Sequence, residues 1–313
     1  MRLHTVSNRE YEIQRKNYAS VFDTPAFAQH NRDKCDQVIY GFFSDSKLRL
    51  GLVAGIKDGW VKAPFSAPYA CFSWISNAPR IADFQEAVVA LVSWAREKNL
   101  LGISVTLPPF IYGEDVISKT SVALLNAKFA LQKIDLNFAY SLAAHDDRYA
   151  EVIDIKARQK LRASQKNNLK LFKAETKEEL VEAYNIIKRN REYRGFPLKM
   201  SLEDIAQTME LVPSDAFVLR RSDGYSIAAA ICFRTQPHIV QVVYWGNLPE
   251  EANLNPMNNL AWQLFDFYTR EGLKIVDTGP STDGGVPNIG LSDFKQSIGC
   301  TASNKMTFSL LLI

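Results

Sequence analysis

The sequence has little of what marks a metalloprotein, a redox protein or a membrane protein. Its four cysteines lie far apart and form no Cys-x-x-Cys pair, so neither a zinc knuckle nor a disulfide-exchange motif is expected. No apolar run approaches the length of about 18 residues that spans a bilayer, and the first residues lack the apolar segment of a signal peptide. A net charge of +3 is too small for general binding to nucleic acid or membranes. These absences predict a cytoplasmic protein with reduced thiols, no membrane partner and no metal.

The chain is long enough for two domains. Its 313 residues exceed the usual size of one domain, and 47% hydrophobic with 23% charged residues is a globular composition that can bury two cores. We predict an N-terminal domain over residues 1–150 and a C-terminal domain over residues 151–313.

Both halves show one order of predicted elements, in which helices precede antiparallel strands and a further helix, strand, helix and strand follow. This alternation predicts the α/β class with mixed sheets. The predicted hairpins are 37–43 with 47–56 and 216–220 with 226–234, the main helices are 80–98 and 256–272, and the closing strands are 131–140 and 306–312.

Short matches between the halves indicate a duplication. Val38-Ile39-Tyr40 matches Phe217-Val218-Leu219 at an offset of 179 residues, and Arg96-Glu97 matches Arg270-Glu271 at 174. In the closing strands Phe138 matches Phe308 at 170. Offsets that change this slowly are typical of one fold used twice, with loop-sized insertions and deletions.

The stretch 275–299 joins an apolar strand to a short helix through a polar, glycine-rich loop. The composition of the loop disfavours both regular helix and extended strand. Either Ser292 or Asn288 is predicted to cap the helix, which carries Lys295 and ends at Gly299. Loops of this kind, at the carboxyl end of a strand and before a helix N-terminus, often bind ligands in α/β proteins.

Three segments carry a family resemblance. They are Asp277-x-Gly279-x-Ser281-Thr282 with Asn288-x-Gly290-Leu291-x-x-Phe294-Lys295-x-x-x-Gly299, the basic run Lys156-x-Arg158 with Leu161-Arg162 and Lys166, and Pro64-Phe65-Ser66-Ala67-Pro68-Tyr69. The first looks like the strand, Gly/Ser loop and Phe-Lys helix of Fem-type proteins. The second is similar to their basic inter-domain helix, and the third resembles the proline-bracketed loop of their first domain. With the repeated order of elements, the chain resembles the bacterial Fem-type (FemAB-like) branch of the GNAT acyl-CoA N-acyltransferase superfamily.

The resemblance implies two tandem GNAT-like domains, of which the second begins with the basic helix. It implies an enzyme that transfers an acyl or aminoacyl group to a small-molecule or peptidyl amine in the cleft of the C-terminal domain. One alternative is a Fem-type peptidyl transferase that uses aminoacyl-tRNA and acts on a cell-wall precursor. Another is a catalytically degenerate binding protein on the same fold, because no acid–base pair is evident in the sequence.

By analogy with the family, Lys295 and Asp277 are the predicted catalytic residues. Lys295 would position the substrate or act electrostatically, and Asp277 would accept a hydrogen bond from the substrate amine. A surface lysine and a carboxylate that caps the following loop are the structural alternatives. The oxyanion donors would be backbone N–H groups of residues 243–246. The predicted substrate-binding residues are Ser281, Thr282, Asn288, Tyr244, Trp245, Arg194, Arg158 and Arg162. For the two aromatic residues core packing is the alternative, and for the arginines it is solvation.

The acyl donor is open between acyl-CoA and aminoacyl-tRNA. The superfamily binds the CoA pyrophosphate with a glycine-rich turn, but residues 245–256 hold a single glycine, two prolines without N–H groups and two adjacent glutamates. Each charge-assisted hydrogen bond to phosphate is worth about 1.5–3 kcal/mol, so the loss of several weakens CoA binding. Residues 156–173 carry seven Lys or Arg and no acid, a run that either binds phosphates or is a solvated linker.

Overall fold

The computed structural model describes residues 1–15, 17–75, 79–145 and 149–312, which form two compact units. The N-terminal unit comprises Met1–Leu136, Thr282–Val286 and Ser303–Ile313, and the C-terminal unit comprises Asn137–Ser281 and Pro287–Ala302. The boundary predicted after residue 150 lies inside the C-terminal unit as these contacts define it.

The elements of the first half follow the predicted order. In chain order they are β1 (Arg2–Thr5), α1 (Asn8–Gln14), α2 (Pro25–His30), β2 (Gln37–Ser44), β3 (Leu48–Lys57), β4 (Trp60–Ala63), β5 (Ser73–Trp74), α3 (Ile81–Glu97), β6 (Gly102–Thr106), α4 (Glu114–Asn126) and β7 (Ala130–Ser141).

The second half repeats this order after two further helices. Its elements are α5 (Tyr149–Val152), α6 (Ile155–Gln165), β8 (Lys170–Lys173), α7 (Lys177–Tyr193), α8 (Leu202–Leu211), β9 (Ser214–Arg220), β10 (Ser226–Gln236), β11 (Ile239–Asn247), α9 (Pro256–Arg270), β12 (Ile275–Pro280), β13 (Thr282–Asp283), β14 (Val286–Pro287), α10 (Ile289–Ser297) and β15 (Thr301–Leu311). The pair β13–β14 corrects the prediction of an irregular loop, because Gly284 and Gly285 have φ of 58° and 86° and form the turn of a small hairpin.

Both units have the same strand order, which supports the predicted duplication. The N-terminal unit reads β1-β2-β3-β4-β6-β15 and the C-terminal unit reads β8-β9-β10-β11-β12-β7. In each unit the fourth and fifth strands pair in parallel, whereas the strands before them pair antiparallel. The matched residues Phe138 and Phe308 lie in the sixth strands, as their offset indicated.

The sixth strands are exchanged between the halves of the sequence. Residues Thr307–Leu311 of β15 pair with β6 of the N-terminal unit, and Asn137–Ser141 of β7 pair with β12 of the C-terminal unit. Phe308 is 1% exposed, so the late segment contributes to the core of the N-terminal unit.

Capping residues set the starts of the helices around β11. Thr176 and Glu179 form a capping box at α7, and Ser201 and Asp204 form one at α8. The helix α9 begins at Pro256 as predicted, but the side chain of Asn255 makes no cap bond. Within the described residues no helix combines the length and the apolar composition needed to cross a bilayer.

We expect Phe308→Ala to destabilise the N-terminal unit by about 3–5 kcal/mol, because it removes a buried aromatic side chain. Amide hydrogen exchange should rise at Ile103 and Val105 of β6, which pair with β15, and much less at Val218 of β9. The control Leu311→Ala removes a side chain that is 59% exposed and should change stability by less than about 0.5 kcal/mol. Faster exchange at Val218 alone would contradict the strand exchange.

Candidate functional site

The parallel ladder between β11 and β12 ends early. Residues Ile239–Gln241 pair with Ile275–Asp277, but β11 continues to Asn247 without a further partner in β12. The register with β10 shifts by one residue at Val243, which is a β-bulge and bends the strand. Beyond Gln241 and Asp277 the two strands therefore diverge.

The carboxylate of Asp277 holds the three strands at this point. Asp277 is fully buried and accepts hydrogen bonds from Gln241 Nε2 of β11 (3.0 Å), Asn137 Nδ2 of β7 (2.8 Å) and the backbone N–H of Gly279 (2.9 Å). A buried carboxylate is tolerated when N–H donors surround it in this way. The bond from Gly279 N–H fits the structural alternative considered for this residue, a carboxylate that caps the following loop, and the other two bonds join β7 and β11 to β12.

Beyond the ladder, the backbone groups of alternate residues in β11 face away from β10. The N–H of Leu248 donates to Ile227 O of β10 at 2.8 Å. Because alternate residues of a strand direct their backbone groups to the same side, Gly246 also faces β10, whereas Trp245 and Asn247 face the side that β12 has left. The N–H of Trp245 lies within the range 243–246 predicted to supply oxyanion donors.

Two helices flank this part of β11 on opposite faces. The ring of Trp245 makes an edge-to-face contact with Phe294 of α10, with centroids 5.8 Å apart. On the other face Asn190 Nδ2 of α7 donates to Asn247 O at 2.6 Å. A Cβ on Gly246 would lie 2.8 Å from Asn190, so glycine permits this close approach of α7.

Lys295 is buried, with 1% of its surface exposed. Its Nζ donates to the carbonyls of Gly279 (2.8 Å) and Pro280 (3.0 Å), which follow the ladder end in β12. Burial lowers the pKa of the Lys295 ammonium to about 8, and the negative charge of Asp277 opposes this effect. The alternative of a surface lysine is therefore wrong, and the cation lies next to the diverging strands.

Three of the predicted substrate-binding residues, Ser281, Thr282 and Asn288, have different surroundings in the structure. Ser281 is 1% exposed, and its Oγ has no hydrogen-bond partner among the described residues. Thr282 belongs to the N-terminal unit, where its Oγ1 donates to Asp135 at 2.8 Å. Asn288 caps α10 by accepting from Leu291 N at 3.0 Å, so of the two predicted caps Asn288 is the observed one.

The remaining predicted residues lie at three places in the C-terminal unit. Tyr244 is half-buried on the α7 side of β11, and burial raises the pKa of its hydroxyl. Arg194 is exposed at the end of α7. On α6, Arg162 is exposed, but Arg158 is half-buried and its Nη2 donates to Ile153 O at 3.5 Å.

The N-terminal unit closes the equivalent position with its own chain. Its parallel ladder ends at the pair Ala63 and Val105. The chain then returns through the proline-bracketed loop, and Ala70 N donates to Thr106 O at 2.9 Å. Tyr69 of this segment is 1% exposed.

The segment after β11 has no glycine-rich turn. Residues Pro249–Leu254 form a 3-10 helix, and Asn255 adopts a left-handed backbone with φ of 51°. Glu250 pairs with Arg189 (2.7 Å) and Glu251 pairs with Arg221 (3.1 Å), so arginines partly neutralise the carboxylates that would repel phosphate.

Sequence reasoning missed three polar residues that build the site, namely Asn137, Gln241 and Asn190. Asn137 and Gln241 stand at buried positions in apolar runs of their strands, and Asn190 lies on the buried face of α7 with Ala183, Ile186 and Ile187. A polar side chain in such a pattern needs a partner, and this signal was present in the sequence.

Comparisons with known proteins support the fold. No family model matches the chain, and no curated protein matches it in sequence. A crystal structure of FemX is similar over 99% of this chain and 97% of its own, with a TM-score of 0.70 and 14% identity. The structure of L-PGS from Bacillus licheniformis is similar over 96% of this chain and 90% of its own, with a TM-score of 0.58 and 14% identity. A tandem GNAT protein from the clavulanic acid biosynthesis pathway is similar over 99% of this chain and 98% of its own, with a TM-score of 0.57 and 10% identity.

These likenesses and the repeated strand order define the class of fold. The chain has the fold of these structures, with two GNAT-fold units in tandem. The site described above lies in its C-terminal unit.

We expect the contribution of Lys295 to the free energy of unfolding to increase as the pH rises. The folded pKa of about 8 lies below the ordinary value of 10.5, so between these pH values the unfolded chain binds more protons, and raising the pH favours the folded state. Urea unfolding of the wild type and of Lys295→Met should show the difference in unfolding free energy increasing by roughly 3 kcal/mol from pH 7.5 to 10.5. A difference that stays constant over this range would show that the ammonium is solvated.

Proposed function

We propose that the protein transfers an acyl or aminoacyl group to an amine at the end of the β11–β12 ladder. The observation that carries the proposal is the Trp245 N–H, which β10 does not use and which faces the side left by β12. A fixed N–H donor of this kind stabilises the oxyanion of acyl transfer, and such a donor is typically worth about 2.7–4 kcal/mol.

In this reaction a neutral amine attacks the donor carbonyl, and a C–N bond forms. The carbonyl oxygen becomes an oxyanion that accepts from Trp245 N–H. Collapse of the intermediate breaks the bond to the leaving oxygen or sulfur, which takes the proton that the amine releases. The Lys295 cation favours the oxyanion electrostatically from its position on the carbonyls of Gly279 and Pro280. Asp277, with three N–H donors of the protein, positions the strands and is not the base.

We favour aminoacyl-tRNA over acyl-CoA as the donor. The segment 249–256 offers two prolines and a 3-10 helix where a pyrophosphate would need a row of N–H groups. FemX is matched over 97% of its length, and aminoacyl-tRNA is the donor expected from the Fem-type branch that the sequence resembles.

The helix α6 supplies a basic surface for the nucleic-acid part of such a donor. Ala157, Leu161 and Ser164 are its buried side, and Lys160, Arg162 and Lys166 are exposed. Among the described residues no carboxylate pairs with these three cations. Asp154 N donates to Ser297 O at 2.9 Å, so the start of α6 lies beside the end of α10.

A binding protein on the same fold is the second candidate. The observation that favours it is the burial of both predicted catalytic side chains, since Lys295 is 1% exposed and Asp277 is fully buried. In that case the site recognises a metabolite or cell-wall precursor without turnover.

The two candidates and the two donors are distinguished by a transfer assay. Purified protein is incubated with aminoacyl-tRNA or acyl-CoA and a panel of amines, and mass spectrometry detects amines that gain the donor group. We expect product with aminoacyl-tRNA, and Trp245→Ala should lower kcat/KM at least tenfold because the strand loses its contact with Phe294. The control Tyr225→Ala removes an exposed aromatic from the β9–β10 turn and should stay within twofold. Product from acyl-CoA but not from aminoacyl-tRNA would contradict the proposed donor. Binding of an amine without product from either donor would favour the binding protein.

The α6 surface is tested by the salt dependence of tRNA binding. Arg162→Gln with Lys166→Gln should weaken binding and reduce the slope of log K against log salt by about 1.4–1.8, because two phosphate contacts are lost. The control pair Lys57→Gln with Lys98→Gln removes two exposed charges from the N-terminal unit and should leave the slope unchanged. Equal slopes for both double variants would assign α6 to the solvated surface.

A further inference from the structure

Asn190 is a buried amide on the inner face of α7. It is 6% exposed and lies on the same face as Ala183, Ile186 and Ile187. Burying an amide among apolar side chains is unfavourable unless the amide is hydrogen-bonded. The Nδ2 of Asn190 donates to the carbonyl of Asn247 in β11 at 2.6 Å. This bond therefore joins α7 to the strand that carries the proposed oxyanion donor.

The carbonyl of Asn247 is one that a neighbouring strand would normally bind. Asn247 and Trp245 face the side that β12 has left, since the pairing of β11 with β12 ends at Gln241. The bond from Asn190 takes the place of strand pairing at Asn247. A side chain of α7 thus supports β11 where β12 does not.

The backbone of β11 is free to turn on both sides of Trp245. Before Trp245 the β-bulge at Val243 interrupts the register with β10. After it comes Gly246, which has no Cβ to restrict its backbone. A Cβ on Gly246 would lie 2.8 Å from Cγ of Asn190. Asn190 therefore contacts β11 at the residue that would otherwise be the most free to rotate.

Three hydrogen bonds fix the end of β11. Asn190 Nδ2 donates to Asn247 O at 2.6 Å, and Asn247 Nδ2 donates to Leu248 O at 2.8 Å. Leu248 N donates to Ile227 O of β10 at 2.8 Å. Because each peptide unit is planar, bonds on consecutive units restrict the rotation of the units before them. The direction of the proposed donor N–H, two residues before Asn247, therefore depends on this end of the strand.

We infer that Asn190 is a positioning residue for the transfer, because it holds the Trp245 N–H in the direction that the oxyanion requires. This role rests on the proposed function. Asn190 acts through the backbone of β11, to which its amide is bound. A group misplaced by about 1 Å can cost about 10²-fold in rate. Loss of the amide should therefore lower kcat and leave KM nearly unchanged, since no group that binds a substrate is removed.

The test removes the amide donor and keeps its volume. Asn190→Leu has nearly the same shape without a donor, and Asn190→Asp, whose ionised carboxylate cannot donate, is the second variant. The control Gln263→Leu breaks a bond of the same kind in the same unit, from Gln263 Nε2 of α9 to Leu169 O at 3.0 Å. In the transfer assay we expect both Asn190 variants to lower kcat at least tenfold with KM within threefold. The control should keep kcat within twofold.

The direction of the N–H groups is measured without turnover. Residual dipolar couplings of the folded, isotope-labelled protein report the orientation of each backbone N–H. We expect the couplings of Trp245 and Asn247 to change in both Asn190 variants. The couplings of Val240 and Val276, which pair within the ladder, should stay the same. The control should leave all four couplings unchanged.

Unchanged couplings at Trp245 would overturn the inference, as would changed couplings with a kcat within twofold of the wild type. A loss confined to KM would also overturn it, because Asn190 would then bind a substrate. The proposed function fails in a different way. If the wild type forms no product with any donor, the reaction and this role in it are both refuted. If the wild type and both variants form product at equal rates, only the inference is refuted.

Discussion

The fold of the C-terminal unit depends on one buried carboxylate. Asp277 accepts hydrogen bonds from side chains of β7 and β11 and from the backbone of β12, at the residue where the parallel ladder stops. Up to this residue the strands are held together, and after it they separate. The separation turns the N–H of Trp245 toward a side with no strand, and it leaves the carbonyls of Gly279 and Pro280 to Lys295. The residue predicted as catalytic therefore builds the site, because its position fixes the groups around it.

The two units share one strand order but differ in what lies beyond the end of the parallel ladder. In the N-terminal unit the chain returns after Ala63, and Ala70 bonds to Thr106 beyond the ladder. In the C-terminal unit β11 continues past the ladder to Asn247, and beyond the ladder the side chain of Lys295 bonds to the carbonyls of Gly279 and Pro280 in β12. A duplication thus gives one unit with an occupied gap and one unit in which the gap is the candidate site.

Much of the fold could be predicted from the sequence because hydrophobic periodicity and capping signals are local. The hairpins, the helices α3 and α9, and the repeat itself follow from such signals. The strand exchange could not be predicted, since pairing partners far apart in the chain leave no local pattern. The site was predicted in part. Lys295 and Asp277 were identified through the family motif, but Asp277 meets Asn137 across 140 residues, and the nine-residue helix of Lys295 is too short for its pattern to show burial.

The exchanged strands also affect how the protein is made. The N-terminal unit contains residues Ser303–Ile313, so its sheet stays incomplete while the ribosome translates the intervening segments. The C-terminal unit has its sixth strand, Asn137–Ser141, available before the other five. Vectorial synthesis therefore reverses the usual sequence in which domains mature, and the nascent chain must keep an unfinished sheet edge from aggregating until the final strand emerges.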